Sequence, residues 1–593
     1  MNNSKLAKLL LFGSILFFSS PTIFADADEV LIRQLVNTIH TKFHLEDYHD
    51  VSEQLDNALK SAFFSEEPTA VKRLRQAIFF TQEKNSLTDN FTLDILYRLQ
   101  WQLGRVFKSQ AQWQKAGYVY QQAQQTLEQL RNIAGIKKPS TNIFKQVYYE
   151  HIDILLTRYE HEVSNRQNLL RKIIDIIEVL KQAELENYFQ DECLVAENQK
   201  RVEDNLKNNT AIFYPILFPI ESELPNRSLE LLLILPNNEI KWIKPPTQWR
   251  SVRVNIAELN NMVKRFRAEL ETPQREVPPG KTIRQYGKEI YEILIKPLEN
   301  YLNNIEILVS VPDGILRTIP LIALFDGKKF VVEKPYSIVT IPGLTLTRTV
   351  HKSFREEPRI LLGGMSEKVC LSKKSCFESL SKTKQTLEKI QALYPNRSKI
   401  IQDQDFLISR LRYEMHSTQP YTIMHLHTHA TFSKERENTF LLTYDTKLDK
   451  NNRLTMDNLE RLFLTGERRQ VPIELLTLGA CETAKGDEQA ALGLAGVAFK
   501  SGARSVLASL WPVDELTTAE LMKRFYAVLQ TGTTTKVQAL QQVQRELLRL
   551  KANDDYTELV CRHGEDARKV CKDGKSSMLP TYWAPFILIG NWL

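Results

Sequence analysis

Short apolar segments recur through the second half of the chain, and stretches with helical spacing separate them. Each segment is short enough to form one buried strand of a sheet. Strands that alternate with helices usually build a mostly parallel sheet with helices on both faces, so an α/β fold is predicted here. The segments occupy residues 305–311, 360–362, 423–429, 473–478 and 505–510.

Two of these segments lead into reactive residues. His429 ends the segment 423–429, and Cys481 lies three positions after the segment 473–478. The two residues are 52 positions apart. Ligands of open parallel sheets bind beyond the carboxyl ends of the strands. A thiol needs a neighbouring imidazole or an electropositive pocket to attack a carbonyl well at neutral pH. His429 and Cys481 are therefore predicted to form the base and the nucleophile of a cysteine hydrolase.

The sequence around Cys481 resembles a CHAT domain. The motifs that carry the resemblance follow one another as LLTLGACETA at 475–484, GLAGVAF at 493–499 and GARSVLASLWPVD at 502–514, with YWAPFILIG at 582–590 near the end. The resemblance covers roughly residues 285–593. It implies a caspase-like or separase-like cysteine peptidase of clan CD that needs no cofactor.

The resemblance also implies where the oxyanion of the reaction is stabilised. The donors would be the backbone N–H groups of Cys481 and of the residue that follows His429. That second position is usually glycine in the family, whereas this chain has Ala430, which keeps the N–H group.

Three further residues are predicted to bind substrate. Asp514 lies in a segment similar to the pocket of separases that receives a basic P1 side chain, although it could equally cap the helix predicted over 517–529. Trp511 could wall the cleft or pack in the core. Glu482 could orient the site or be an ordinary hydrogen-bonded carboxylate.

Three alternating histidines offer a rival interpretation. His425, His427 and His429 point to one face of a regular strand, and such a run can bind a metal. A metal-dependent hydrolase is thus an alternative, although no metal site is predicted. A second alternative is a catalytically silent adaptor that keeps the fold alone.

The amino terminus resembles a secretory signal peptide. Lys5 and Lys8 precede an apolar run at 9–18, which Ser19, Ser20 and Pro21 follow. Residues 1–25 are predicted to form the signal peptide, with cleavage after Ala25 or Ala27. The mature protein is then exported, periplasmic or secreted, with no stable membrane insertion; an uncleaved anchor is the alternative. The formal charge of +7 falls to +5 without the two lysines, which argues against a nucleic-acid partner.

The six cysteines suit an exported protein. Cys370 and Cys376 are close in sequence, as are Cys561 and Cys571, and each pair could form a local disulfide. Cys193 and Cys481 would remain as free thiols.

The region before the α/β segments divides in two. Residues 28–203 are almost free of Gly and Pro and show helical spacing, with one stretch similar to a tetratricopeptide (TPR) repeat at Leu103, Gly104, Phe107, Ala116, Tyr120 and Ala123. This helical array is predicted to bind a protein substrate or regulator. Residues 204–284 are predicted to be a β-containing linker, or the start of the peptidase region that occupies 285–593.

Overall fold

The structure of the protein is a computed structural model. The predicted signal peptide lies outside the residues that it describes, as do Cys193, Cys481, Cys561 and Cys571. The described residues are 75, 78, 81, 90–131, 141–189, 209–218, 227–244, 254–271, 282–347, 358–372, 375–417, 419–433, 438–444, 452–467, 472–479, 482–483, 502–550 and 578–593.

The chain divides into two compact units. The first comprises residues 1–180 and 221–224, and the second comprises 181–220 and 225–593. Of the helices within the described ranges, none combines the length and the apolar character that a membrane crossing requires.

The first unit is helical, as the sequence predicts. Gly104 lets its own helix and the helix of Tyr120 approach closely, because a Cβ atom at this position would lie 2.5 Å from Cε2 of Tyr120. The Tyr120 ring is fully buried between them, so these positions have a packing role; the TPR assignment stays a prediction. The helices are α1 (Asn90–Ser109), α2 (Trp113–Arg131), α3 (Thr141–His161) and α4 (Arg166–Phe189), of which the last ends in the second unit.

The second unit is built on an 11-stranded sheet in which most neighbouring strands run parallel. The order across the sheet is β3 (Ile240–Ile243), β2 (Leu229–Ile234), β1 (Thr210–Leu217), β4 (Ile307–Ser310), β5 (Ser337–Thr340), β17 (Phe586–Gly590), β16 (Ser505–Ser509), β14 (Leu475–Leu478), β10 (Ile423–His427), β6 (Ile360–Gly364) and β9 (Ser398–Gln402). The antiparallel pairs are β1 with β2, β2 with β3 and β16 with β17.

Helices accompany this sheet, so the predicted α/β fold is confirmed. They are α5 (Val254–Glu271), α6 (Ile283–Leu294), α7 (Thr383–Leu393), α8 (Ile408–Met415), α9 (Met456–Glu467), α10 (Glu515–Gln530), α11 (Lys536–Leu548) and the single turn α12 (Pro580–Trp583). Two smaller sheets complete the unit: one has the order β13 (Arg453–Thr455), β12 (Phe440–Leu442), β11 (Ala430–Phe432) and β15 (Glu482–Thr483), and the other is the hairpin of β7 (Val369–Ser372) and β8 (Ser375–Phe377).

The large sheet extends across the boundary expected at residue 285. Strand β1 pairs in parallel with β4 over the whole length of β4, and β2 and β3 continue outward from β1. The burial of every residue of β1 and β2 explains this, because strands with two covered faces belong inside a layered domain. Strands β1–β3 are therefore part of the α/β unit.

A buried ion pair joins the last turns of α4 to the turn after β4. Nζ of Lys181 lies 2.7 Å from Oδ1 of Asp313, and Oδ2 of Asp313 accepts a hydrogen bond of 3.0 Å from the backbone N–H of Leu217. Burial by itself raises the pKa of the Asp313 carboxyl, but Lys181 and Arg317 together hold that pKa below its ordinary value. Asp313 is thus an ionised hub that ties three segments of the unit together.

Candidate active site

The strands that lead to His429 and Cys481 are neighbours in the sheet. His425 is paired with Thr477 and Leu426 with Leu478, and the N–H of Gly479 donates to the carbonyl of Leu426 at 2.8 Å. All residues of β10 and β14 are buried, which fixes their register because a slip of one position would turn every side chain to the other face. The two carboxyl ends therefore lie at one level of one sheet edge.

The chain segments beyond the two strands also pair with each other. β11 begins directly after His429 and β15 directly after Cys481, and the two run parallel with Thr431 opposite Glu482 and Phe432 opposite Thr483. The small sheet thus holds the continuation of one segment beside that of the other. Ala480 and Cys481 themselves lie outside the described residues, and so do the side chains of β15.

The imidazole of His429 is partly exposed and has a defined orientation. Its Nε2 atom lies 2.8 Å from the backbone carbonyl oxygen of Glu378, and its ring centroid lies 5.1 Å from that of Phe377. A carbonyl oxygen can only accept a hydrogen bond, so Nε2 must carry the proton. In the neutral ring Nδ1 then keeps its lone pair, which is the state that a general base requires.

The loop that supplies Phe377 and Glu378 is held at its base. The N–H of Leu380 donates to the carbonyl of Ser366 at 3.1 Å. Ser366 in turn donates from its backbone N–H and its hydroxyl to the Asp403 carboxylate at 2.6 and 2.8 Å. These bonds lower the pKa of Asp403 against the opposing effect of burial, so the carboxylate stays ionised and anchors the loop.

A disulfide joins Cys370 to Cys376 within this loop. The two residues face each other across the β7–β8 hairpin, where the sequence suggested a local bridge. The second suggested pair, Cys561 and Cys571, lies outside the described residues.

His425 and His427 belong to the core of the sheet. Burial lowers the pKa of His427 to about 4 and that of His425 well below its ordinary value, so both rings are neutral at pH 7. Nδ1 of His425 lies 3.3 Å from the Tyr526 hydroxyl. Among the residues that the structure describes, no three His, Cys, Asp or Glu side chains form a group that could hold a metal ion.

The His427 ring lies against the end of β14. A Cβ atom at Gly479 would be 2.5 Å from its Nδ1 atom and 3.1 Å from its Cγ atom. Neither ring nitrogen of His427 has a hydrogen-bond partner among the described residues. Gly479, two positions before Cys481, has no side chain, and the buried imidazole of His427 occupies the space that a side chain would need.

The model of the CHAT domain family matches residues 284–591, slightly more than half of the chain. The chain belongs to the CHAT family. This is a family of caspase-like peptidases, and the predicted resemblance is thereby confirmed. A search of curated proteins found no match.

Solved structures give distant matches to this CHAT protein. A chain of the Saccharomyces cerevisiae separase–securin complex at 3.0 Å resolution is 11% identical with a TM-score of 0.43, and the match covers 99% of this chain and 48% of that one. A second structure of that complex, at 2.6 Å, gives 12% identity, a TM-score of 0.35 and coverages of 94% and 40%. The complex of Porphyromonas gingivalis RgpB pro- and mature domains is 10% identical with a TM-score of 0.30, and the match covers 59% of this chain and 77% of that one. The CHAT protein thus spans less than half of each separase–securin chain that it matches.

Two of the three residues predicted to bind substrate have other contacts in the CHAT domain, and the side chain of the third, Glu482, lies outside the described residues. Asp514 caps α10, because its side chain accepts hydrogen bonds from the N–H groups of Leu516 and Thr517. Trp511 is fully buried, with its indole N–H donating to the carbonyl of Thr581 and the Arg267 guanidinium over its ring. The geometry favours the capping and core alternatives, and a role in substrate binding stays a prediction for Asp514, Trp511 and Glu482.

Ala430 starts β11 and is fully buried opposite Leu441. Its methyl group is therefore shielded from solvent, and its backbone N–H directly follows His429 in the chain. The role of its N–H in an oxyanion hole stays a prediction.

The last turn of α4 reaches the segment after His429, which sequence reasoning missed. The Tyr188 hydroxyl donates to the carbonyl of Ser433 at 2.7 Å and lies 3.1 Å from Oγ1 of Thr439. These two residues flank the connection between β11 and β12. In the sequence, Tyr188 is an aromatic residue at the end of a helical stretch, and that pattern does not identify the partner of its hydroxyl group.

Proposed function

We propose that this CHAT protein is a cysteine endopeptidase in which His429 is the general base and Cys481 the nucleophile. The parallel pairing of β11 with β15 carries the proposal. Consecutive Cα atoms are about 3.8 Å apart, so Cys481 stays within one such step of Glu482, the partner of Thr431. The two reactive residues thus enter the same small sheet from adjacent strands of the large one.

The reaction follows from the tautomer of His429. Nδ1 accepts the thiol proton of Cys481, and the thiolate attacks the peptide carbonyl to form a tetrahedral intermediate. Backbone N–H groups at Ala430 and Cys481 stabilise its oxyanion. His429 then returns the proton to the leaving amine, and water attacks the acyl-enzyme with His429 again as base. The hydrogen bond to Glu378 holds the ring in position through both steps.

A peptide-library assay with purified protein under mild reducing conditions tests the proposal. Cys481→Ala and His429→Ala should each lower the cleavage rate to background, whereas a chelator should leave the rate unchanged. His416→Ala is the matched control, because it removes an exposed histidine that the proposed mechanism does not use. Cleavage that survives Cys481→Ala would refute the thiol mechanism, and loss of cleavage on chelation would favour the metal-dependent alternative.

The proposal extends to export and to the helical region. We infer that residues 1–25 direct export, that the mature enzyme is periplasmic or secreted, and that residues 28–203 bind a protein substrate or regulator. The support is the signal-like sequence and the helical first unit. The first residue of protein recovered from a cell that exports it tests the cleavage, and binding of a separately added protein that requires residues 28–203 tests the second role.

A further inference from the structure

The Cys370–Cys376 disulfide lies next to the residues that contact His429. Cys376 directly precedes Phe377, whose ring packs against the imidazole, and Glu378, whose carbonyl accepts the hydrogen bond from Nε2. Phe377 is itself the last residue of β8, opposite Val369. One short hairpin thus contains both the disulfide and the ring that covers the candidate base.

Among the described residues, an exposed ion pair also joins the two ends of the hairpin, with Nζ of Lys368 2.7 Å from Oε1 of Glu378, and exposed pairs of this kind stabilise little. The strands of the hairpin have four and three residues, and its pairing is irregular between Cys370 and Ser372. A two-stranded hairpin of this size is marginal in water without a cross-link or a packed face. The anchors at Ser366 and Leu380 hold the base of the loop in either redox state, so the disulfide acts on the part beyond them.

Cys376 is exposed, so a reductant can reach the bond. We propose that the Cys370–Cys376 pair is a redox-controlled clamp on the general base: the disulfide holds Phe377 and the Glu378 carbonyl against His429, and its reduction releases them. This inference rests on the proposed function, because it treats His429 as the base.

The redox step is an ordinary thiol–disulfide exchange. The reductant is a dithiol, either a small molecule or a protein with two neighbouring cysteines. One of its thiolates attacks a sulfur of the Cys370–Cys376 bond to give a mixed disulfide, and its second thiol resolves this intermediate. Two electrons and two protons pass to Cys370 and Cys376, which become thiols, and the dithiol becomes a disulfide.

Release of the clamp changes the orientation of the base. Nε2 of His429 loses the carbonyl that selects its protonated tautomer, so Nδ1 carries the proton for part of the time and cannot accept another. General base catalysis contributes a factor of about 10² to 10⁴. A base that is correctly oriented for only a fraction of the time supplies a smaller rate enhancement. We therefore expect kcat to fall about tenfold, with a smaller change in KM.

The clamp and the nucleophile have opposite redox requirements. Cys481 must be a free thiol, whereas Cys370 and Cys376 must be joined. A dithiol therefore has two effects on the rate, since it restores any oxidised Cys481 and opens the clamp. Only a comparison between variants separates the two.

The experiment uses the full mature chain in a buffer with a monothiol, and mass spectrometry of the peptide that contains Cys370 and Cys376 reports its redox state. Peptide cleavage is measured before and after addition of dithiothreitol. The wild-type rate should fall about tenfold as the bond opens. The Cys370→Ser/Cys376→Ser variant should start at the lower rate and should not fall further.

The matched control is the Cys561→Ser/Cys571→Ser variant, which also loses two cysteines close in sequence. It should keep the wild-type rate and the wild-type response to dithiothreitol. The proposal is overturned if the Cys370→Ser/Cys376→Ser variant cleaves as fast as the wild type before reduction, or if the control loses the response.

A second readout does not depend on cleavage. In protein labelled with ¹⁵N-histidine, the His429 signals, assigned with His429→Gln, should show the Nε2–H tautomer in the oxidised wild type and a mixture after reduction or in Cys370→Ser/Cys376→Ser. Identical spectra would refute the clamp even in an active enzyme. If the spectra change but no form of the protein cleaves peptides, the clamp stands and the proposed function fails.

Discussion

The contact between Gly479 and His427 gives a quantitative test of the site. Gly479→Ala places a Cβ atom 2.5 Å from Nδ1 and 3.3 Å from Cε1 of the imidazole, closer than carbon and nitrogen normally approach. The backbone of Gly479 is not in the left-handed region, so alanine meets no conformational penalty there. The ring cannot move into solvent, because only 1% of His427 is exposed.

The expected cost is that of overpacking a filled core, about 1–3 kcal/mol of the free energy of unfolding. Denaturant unfolding measures it, and the cleavage rate should fall as well because Gly479 is two positions from Cys481. In a His427→Ala background the added methyl group enters vacated space, so the same substitution should cost less than about 0.5 kcal/mol. The difference between the two backgrounds is the coupling energy of the pair. An equal cost in both backgrounds would refute the steric argument.

Two more predictions concern buried charge. The pKa of His427 is about 4 in the folded protein and 6.5 for the free side chain, so the unfolded state binds a proton first and stability falls as the pH drops from 6.5 towards 4. His427 alone should remove about 2 kcal/mol of unfolding free energy between pH 7 and pH 5. His427→Ala should reduce the pH dependence of the unfolding free energy, measured by denaturant unfolding, by that amount. Asp313→Asn leaves the buried Lys181 ammonium without the negative charge of Asp313 and should cost about 3–5 kcal/mol of unfolding free energy. The double variant with Lys181→Met should recover much of it, and a loss below about 1 kcal/mol in Asp313→Asn would contradict the hub role.

The sequence predicts the central strands well, because their signal is local. The segments ending near His429 and Cys481 are short, apolar and bounded by helical stretches, and the structure makes them β10 and β14 of a mostly parallel sheet. The meeting of the carboxyl ends of these two strands at one sheet edge follows from topology alone. The motifs around Cys481 identify the family, which the family match confirms.

Other features depend on partners that are distant in sequence. Nothing near Glu378 indicates that its carbonyl meets His429, 51 positions later. Strand β17 returns antiparallel to β16, which an alternation of strands and helices does not foresee. Asp514 shows the opposite limit: the sequence allowed both a pocket and a cap, and only the geometry of the N–H groups at Leu516 and Thr517 separates them.

The position of β1 has a practical consequence for anyone dissecting this protein. A fragment cut at the start of the family match, residue 284, would lack β1, the parallel neighbour of β4. Strand β4 is fully buried and apolar at Ile307, Leu308 and Val309. Without β1 it would become an exposed apolar edge strand, which promotes pairing between molecules and aggregation. The same cut removes Lys181 and Tyr188, and with them the supports of Asp313 and of the β11–β12 connection. The compact unit that contains the CHAT domain therefore begins about a hundred residues before the family match does, within α4.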